Sequence, residues 1–121
     1  FVTLSQGAKD KAKEEGRDLI VVDAGDDAAK QTSDIEDLIS KNISILIVNP
    51  VDSDAVAPAV KDAIAKGIKV ISLDRAVNGV DVDCSIASDN VEGAKMATEY
   101  LVSLVGKDAK VVELESQNFG E

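Results

Sequence analysis

Lys69–Arg75 reads KVISLDR, an apolar run rich in β-branched residues that ends abruptly in an acid and a base. Val70, Ile71 and Leu73 suit a strand buried on both faces, the condition of a parallel sheet covered by helices. Asp74 and Arg75 then fall at the carboxyl end of that strand, the edge along which open α/β sheets bind ligands. A carboxylate accepts hydrogen bonds and a forked guanidinium donates them, so the pair can engage both sides of a neutral polyol. A plain salt bridge or turn is the competing account of the same two residues.

Working outward, two more strands fit the same scheme. Asp18–Asp23 (DLIVVD) and Ile43–Val48 (ISILIV) are short, apolar and β-branched. With KVISLDR they begin near residues 18, 43 and 68, a spacing of about 25. Strand, helix and loop at that spacing predict repeated βα units, hence an α/β fold with a parallel sheet and helices on both faces. A short extended piece, Cys84–Ala87, and a last strand, Lys110–Leu114, complete the sheet.

The intervening segments read as helices with recognisable ends. Residues 2–15 are helical and partly polar, stopped at Gly16. Gly25, Asp26 and Asp27 make a turn with capping acids before a helix over about 28–41, whose Ile35, Leu38 and Ile39 lie at helical spacing. Asp52, Ser53 and Asp54 can cap a helix running to Lys66 and closed by Gly67. Pro58 is awkward inside it, so either the regular helix begins near Ala57 or its first turns are distorted. After a loop containing Asn78-Gly79, Asp89 and Glu92 have capping-box spacing for a helix to about Val105, ended by Gly106. The strand ends thereby gather Asp23, Asn49, Asp74-Arg75 and Ser88-Asp89-Asn90 along one edge.

Composition narrows the chemistry. The 121 residues suffice for one domain with a modest core, and 45% apolar content is ordinary for a globular chain. With 23 acidic against 13 basic residues, a net charge of −10, a nucleic-acid surface is not expected. No apolar run approaches the roughly 20 residues of a membrane span. The opening FVTLSQGAKD has no signal-peptide pattern, which suits a mature exported chain and a cytoplasmic one equally. There is no histidine, and the lone Cys84 has no partner for a disulfide or a nucleophilic pair. Cys84 is expected to be a small buried residue.

No catalytic set, metal site or cofactor motif emerges. A Walker pattern and a GxGxxG after a strand are both missing from the sequence. Asp23, Asp26 and Asp27 could suggest Mg²⁺ in a phosphoreceiver, but the last strand ends Glu113-Leu114-Glu115 without the lysine such a domain needs. A binding site is the better reading.

ILIVNPVDSDAV (45–56), KVISLDR (69–75), SIASDNVEGAKMA (85–97) and AKVVELE (109–115) together resemble the ribose-binding branch of the type I periplasmic sugar-binding proteins, the solute receptors of ABC importers. The resemblance runs through nearly the whole chain to Glu115 and implies a flavodoxin-like lobe. It also implies that Asp74 and Arg75 hydrogen-bond sugar hydroxyls and the ring oxygen. Phe1 matches the second Phe of an Asn-Pro-Phe-Phe loop that stacks on the sugar, and Asn49 and Ser88 match positions lining the same cleft. For Asn49-Pro50 a turn held by the Asn side chain is an equal alternative, and capping accounts for Asp89.

The same resemblance implies no enzyme activity, a periplasmic or extracellular location, and partnership with an ABC permease and a chemoreceptor through a closed two-lobed form. Residues 1–121 would supply one lobe, with 116–121 as a tail that leaves the family pattern. That lobe would lack its first strand, which in the order 2-1-3-4-5 lies between the strands at 18–23 and 43–48. Two strand edges would then be unpaired unless a second lobe, another chain or further sequence supplies the strand. The effector-binding core of a lactose-repressor-like regulator, which shares this fold, is the alternative.

Overall fold

The computed structural model describes residues 2–114. Four helices and three strands follow one another as α1 (Val2–Glu14), α2 (Ala28–Ser40), β1 (Ile45–Val48), α3 (Ala57–Ala65), β2 (Lys69–Leu73), β3 (Cys84–Ile86) and α4 (Asn90–Val105). The strands form one parallel sheet in the order β1-β2-β3. Leu46 faces Val70 and Val48 faces Ser72 across the first pair, and Ser72 faces Ser85 across the second.

Because side chains alternate along a strand, that register sorts the sheet into two unlike faces. Leu46, Val48, Val70 and Ser72 are buried beneath α2 and α3. Ile35 and Ile39 of α2 and Ala57, Ala59, Val60 and Ala63 of α3 complete this core, with Val56, Ile68 and Val77 from the connections. Burying each large aliphatic side chain there contributes about 1.5–3 kcal/mol. Ser72, fully buried, donates its hydroxyl to Ser85 at 2.8 Å, so the core strand carries no unsatisfied hydroxyl.

The opposite face is open. Ile45 and Ile47 are 56% and 47% exposed, Ile86 is exposed, and Ile71 and Leu73 are only half-buried. The expectation that KVISLDR is buried on both faces is thus met on one. Neither α1 nor α4 buries a residue, and Met96, Tyr100 and Leu104 of α4 remain at the surface. Cys84 is likewise exposed, not buried, because it begins β3 on this open face.

Two expected strands take part in no ladder. Residues 18–23 lie outside the sheet, with Leu19, Ile20, Val21 and Val22 between 39% and 51% exposed. Residues 110–114 pair with no other strand among the described residues either, and Val111, Val112 and Leu114 are exposed. A strand exists only with a hydrogen-bonding neighbour, and β1 occupies the edge of the sheet with no partner on its outer side among the described residues.

Local signals elsewhere act as the sequence predicts. Asp27 caps α2 by accepting the Lys30 N–H at 2.9 Å, after a turn in which Gly25 and Asp26 have φ of 60° and 62°. Asp89 caps α4 by accepting the Glu92 N–H at 2.9 Å. The Pro58 conflict resolves in favour of a late start, α3 beginning at Ala57 after a separate turn over 53–56. Asp52 holds that turn, accepting the N–H groups of Asp54 and Ala55 at 2.9 and 2.8 Å.

Candidate functional site

The three parallel strands end at Val48, Leu73 and Ile86. Asn49, Asp74 with Arg75, and Ser88 therefore lie within two residues of three adjacent strand ends, along one edge of the sheet. Phe1 lies outside the described residues.

At the end of the middle strand the chain reverses through a tight turn. The Arg75 N–H donates to the Leu73 carbonyl at 2.7 Å, with Asp74 between them at φ 66°. A two-residue return around a left-handed centre is a γ-turn of the rarer hand, a strained conformation that Asp accepts more readily than most residues. The Asp74 N–H is held by the Ile86 carbonyl at 2.8 Å, which fixes the turn against β3.

The two side chains then behave differently. Asp74 is exposed, and among the described residues its carboxylate accepts no hydrogen bond. Arg75 is half-buried, and its guanidinium donates to the Val51 carbonyl at 2.8 Å. Among the described contacts the two side chains make no salt bridge with each other, whereas the turn of the competing account is present. An outward acceptor beside an anchored donor can bracket a polyhydroxylated molecule with both hydrogen-bonding polarities.

The loop leaving β1 is tied down on several sides. Gln31 of α2 donates Nε2 to the Asn49 carbonyl at 2.8 Å and accepts the Val51 N–H on Oε1 at 2.8 Å. Asn78 donates its N–H to the Ser53 carbonyl and its Nδ2 to Asp54, both at 3.0 Å. The Asp52 carboxyl is held below its ordinary value, first by the Ala55 N–H, next by that of Asp54, with the positive charge of Arg75 adding to both. Asn49 itself is half-buried, and among the described residues its side chain makes no hydrogen bond that would hold a turn; its main-chain carbonyl is what is used. Ser88 is exposed, just before the Asp89 cap.

Sequence reasoning singled out neither Gln31 nor the side chain of Asn78 as part of the site. The one available sign was that Gln31 stands at i−4 and i−8 from Ile35 and Ile39, a polar residue continuing an apolar stripe. At the opposite end of the strands, Asp83 pairs with the Lys69 ammonium and the Val70 N–H, both at 2.9 Å, a structural clip remote from Arg75. Among the described residues no cluster of three or more acidic, cysteine or histidine groups could hold a metal ion, and no helix is long and apolar enough to cross a membrane.

A parallel α/β lobe with polar groups along the carboxyl ends of its strands has the arrangement at which open α/β sheets bind ligands. The profile of the periplasmic binding protein domain matches residues 1–119, and the chain belongs to that family. It is 45% identical to the ribose import binding protein of Bacillus subtilis over 115 residues, 95% of this chain and 38% of that relative's length. Among solved structures, a solute-binding protein of an ABC transporter from Mycobacterium smegmatis, bound to glycerol, superposes with a TM-score of 0.83 at 36% identity. That match covers 88% of this chain and 37% of the other. The Caulobacter myo-inositol binding protein bound to myo-inositol gives 0.79 at 31% identity, covering 86% and 36%. The chain thus spans less than half the length of the proteins it matches.

Proposed function

We propose that this chain is the cleft-forming part of a lobe of an exported, carbohydrate-binding solute receptor that serves an ABC import system. The sugar is a ribose-like monosaccharide held between this lobe and a second one. Asp74 and Arg75 engage its hydroxyls and ring oxygen, Asn49 and Ser88 line the cleft, and Phe1 stacks on the sugar. No bond of the ligand is made or broken. Closure of the lobes creates the surface on which a permease, and in the same way a chemoreceptor, docks.

The observation that carries this reading is the contrast at the end of the middle strand: an outward Asp74 carboxylate beside a tethered Arg75. The name of the ribose import relative supports a pentose as ligand, and the family's description supports the periplasm as location. The lactose-repressor-like alternative is not favoured, since the relatives described above are import and solute-binding proteins.

Calorimetric titration of the intact gene product with D-ribose, D-allose and D-xylose tests the proposal. Saturable binding of D-ribose at about micromolar Kd, or about −8 kcal/mol, is the expected result. Heat flow indistinguishable from dilution for all three sugars would end it.

A further inference from the structure

We propose that Gln31 is a positioning residue of this site, setting the place of Arg75 through the backbone of Asn49–Val51. The inference deepens the carbohydrate-binding reading and rests on it for its ligand. Gln31 sits in the first turn of α2, whose amino end lies beside the strand carboxyl ends. It prolongs the stripe of Ile35 and Ile39 by one helical turn toward the cleft, where that stripe leaves the core.

Its carboxamide is used at both ends. Nε2 holds the carbonyl of Asn49 and Oε1 holds the N–H of Val51, each at 2.8 Å. Two opposed hydrogen bonds to residues two apart reproduce what a neighbouring strand would do, so the chain is held in place just past β1, where the ladder has ended and before it bends at Val51. The peptide group that follows presents the Val51 carbonyl, and Arg75 donates to that oxygen at 2.8 Å. Val51 is therefore gripped on its N–H by α2 and on its carbonyl by the end of β2. Helix, loop and guanidinium form one chain of contacts in which a shift of the loop moves the anchor of Arg75. An apolar side chain at 31 could fill the space but could not hold the loop.

The test uses the intact gene product, D-ribose as the probe and the isosteric pair Gln31→Met and Gln31→Glu. Gln31→Met, which removes both hydrogen bonds, is expected to weaken D-ribose binding about tenfold or more. Gln31→Glu, which keeps the acceptor for Val51, should weaken it less. A merely structural role would lower the melting temperature of both variants in proportion and would add to Arg75→Lys. Positioning instead predicts non-additivity: in an Arg75→Lys background, Gln31→Met should cost less than half its usual fold-change. Affinity within twofold of the parent for Gln31→Met, or full additivity with Arg75→Lys, overturns the proposal.

Amide exchange without sugar separates this inference from the functional reading. If the parent binds no D-ribose, the functional reading fails. The positioning claim is then decided by the Val51 amide and the Arg75 Nη–H signal, since Nη1 is the atom that donates to Val51. Both should exchange or broaden faster in Gln31→Met, and unchanged signals would overturn it.

Discussion

The guanidinium of Arg75 donates to the main-chain carbonyl of Val51 at 2.8 Å, joining the end of the middle strand to the loop that leaves its neighbour across 24 residues of sequence. A side chain held in this way loses little freedom when a ligand arrives, which favours binding. Arg75→Lys keeps the charge but replaces the planar fork with a mobile point charge. Losing a charge-assisted hydrogen bond of this type costs roughly 1.5–3 kcal/mol, so D-ribose affinity should fall about 10- to 100-fold. Calorimetry on the intact gene product checks it, and an unchanged Kd would remove Arg75 from the site.

Val70 stands fully buried on the middle strand, opposite Leu46 and beneath α3. Truncation to alanine there removes transfer energy and leaves a cavity, expected to destabilise by about 2 kcal/mol. Urea unfolding should show a lower midpoint at unchanged slope. A loss under about 0.5 kcal/mol would mean that the core closes differently around β2.

Acid sensitivity should come from two carboxylates at opposite ends of the strands. Asp52 is held below the ordinary 3.8 chiefly by the Ala55 N–H, and Asp83 chiefly by the Val70 N–H and then by Lys69. Depressed values mean that folding favours the charged forms. Their contribution is complete above the unfolded value near 3.8 and is lost as pH falls through the lower folded values. Carboxyl ¹³C titration should place both midpoints below 3.8, and amide exchange at Ala55 and Val70 should quicken only in that acid range. A midpoint at or above 3.8 for either residue would contradict the hydrogen bonding described.

The 121-residue chain by itself should not behave as a closed monomer. One sheet face, the outer edge of β1 and the apolar residues 19–22 are all uncovered, and exposed edges beside apolar surface promote association. Sedimentation velocity at tens of micromolar should show concentration-dependent species. A monodisperse monomer with a sharp cooperative melt would refute this.

The parts legible in advance were those whose cause is local. KVISLDR supplied a strand over Lys69–Leu73 and ISILIV one over Ile45–Val48, and Asp27, Asp89, Gly67 and Gly106 bounded helices, because apolar runs and capping groups act over a few residues. DLIVVD carries equally strong β-branched character yet joins no ladder, since pairing depends on a neighbour that propensity cannot supply. Cys84 misled for a related reason: small and apolar argued for burial, but its place on the uncovered face decided the outcome. Asp74 and Arg75 were visible as a pair, whereas the Val51 tether and the Gln31 bridge span 18 to 24 residues and arise only once α2 lies against the loop.

The left-handed turn at Asp74 also limits which residues this position can accept over evolutionary time. Asn tolerates that backbone but brings no negative charge, and Glu brings the charge but lacks the short side chain that eases a positive φ. Gly satisfies the geometry and contributes no acceptor. With the sugar-contacting role proposed for Asp74, backbone and chemistry act as two separate filters on one codon, and aspartate passes both.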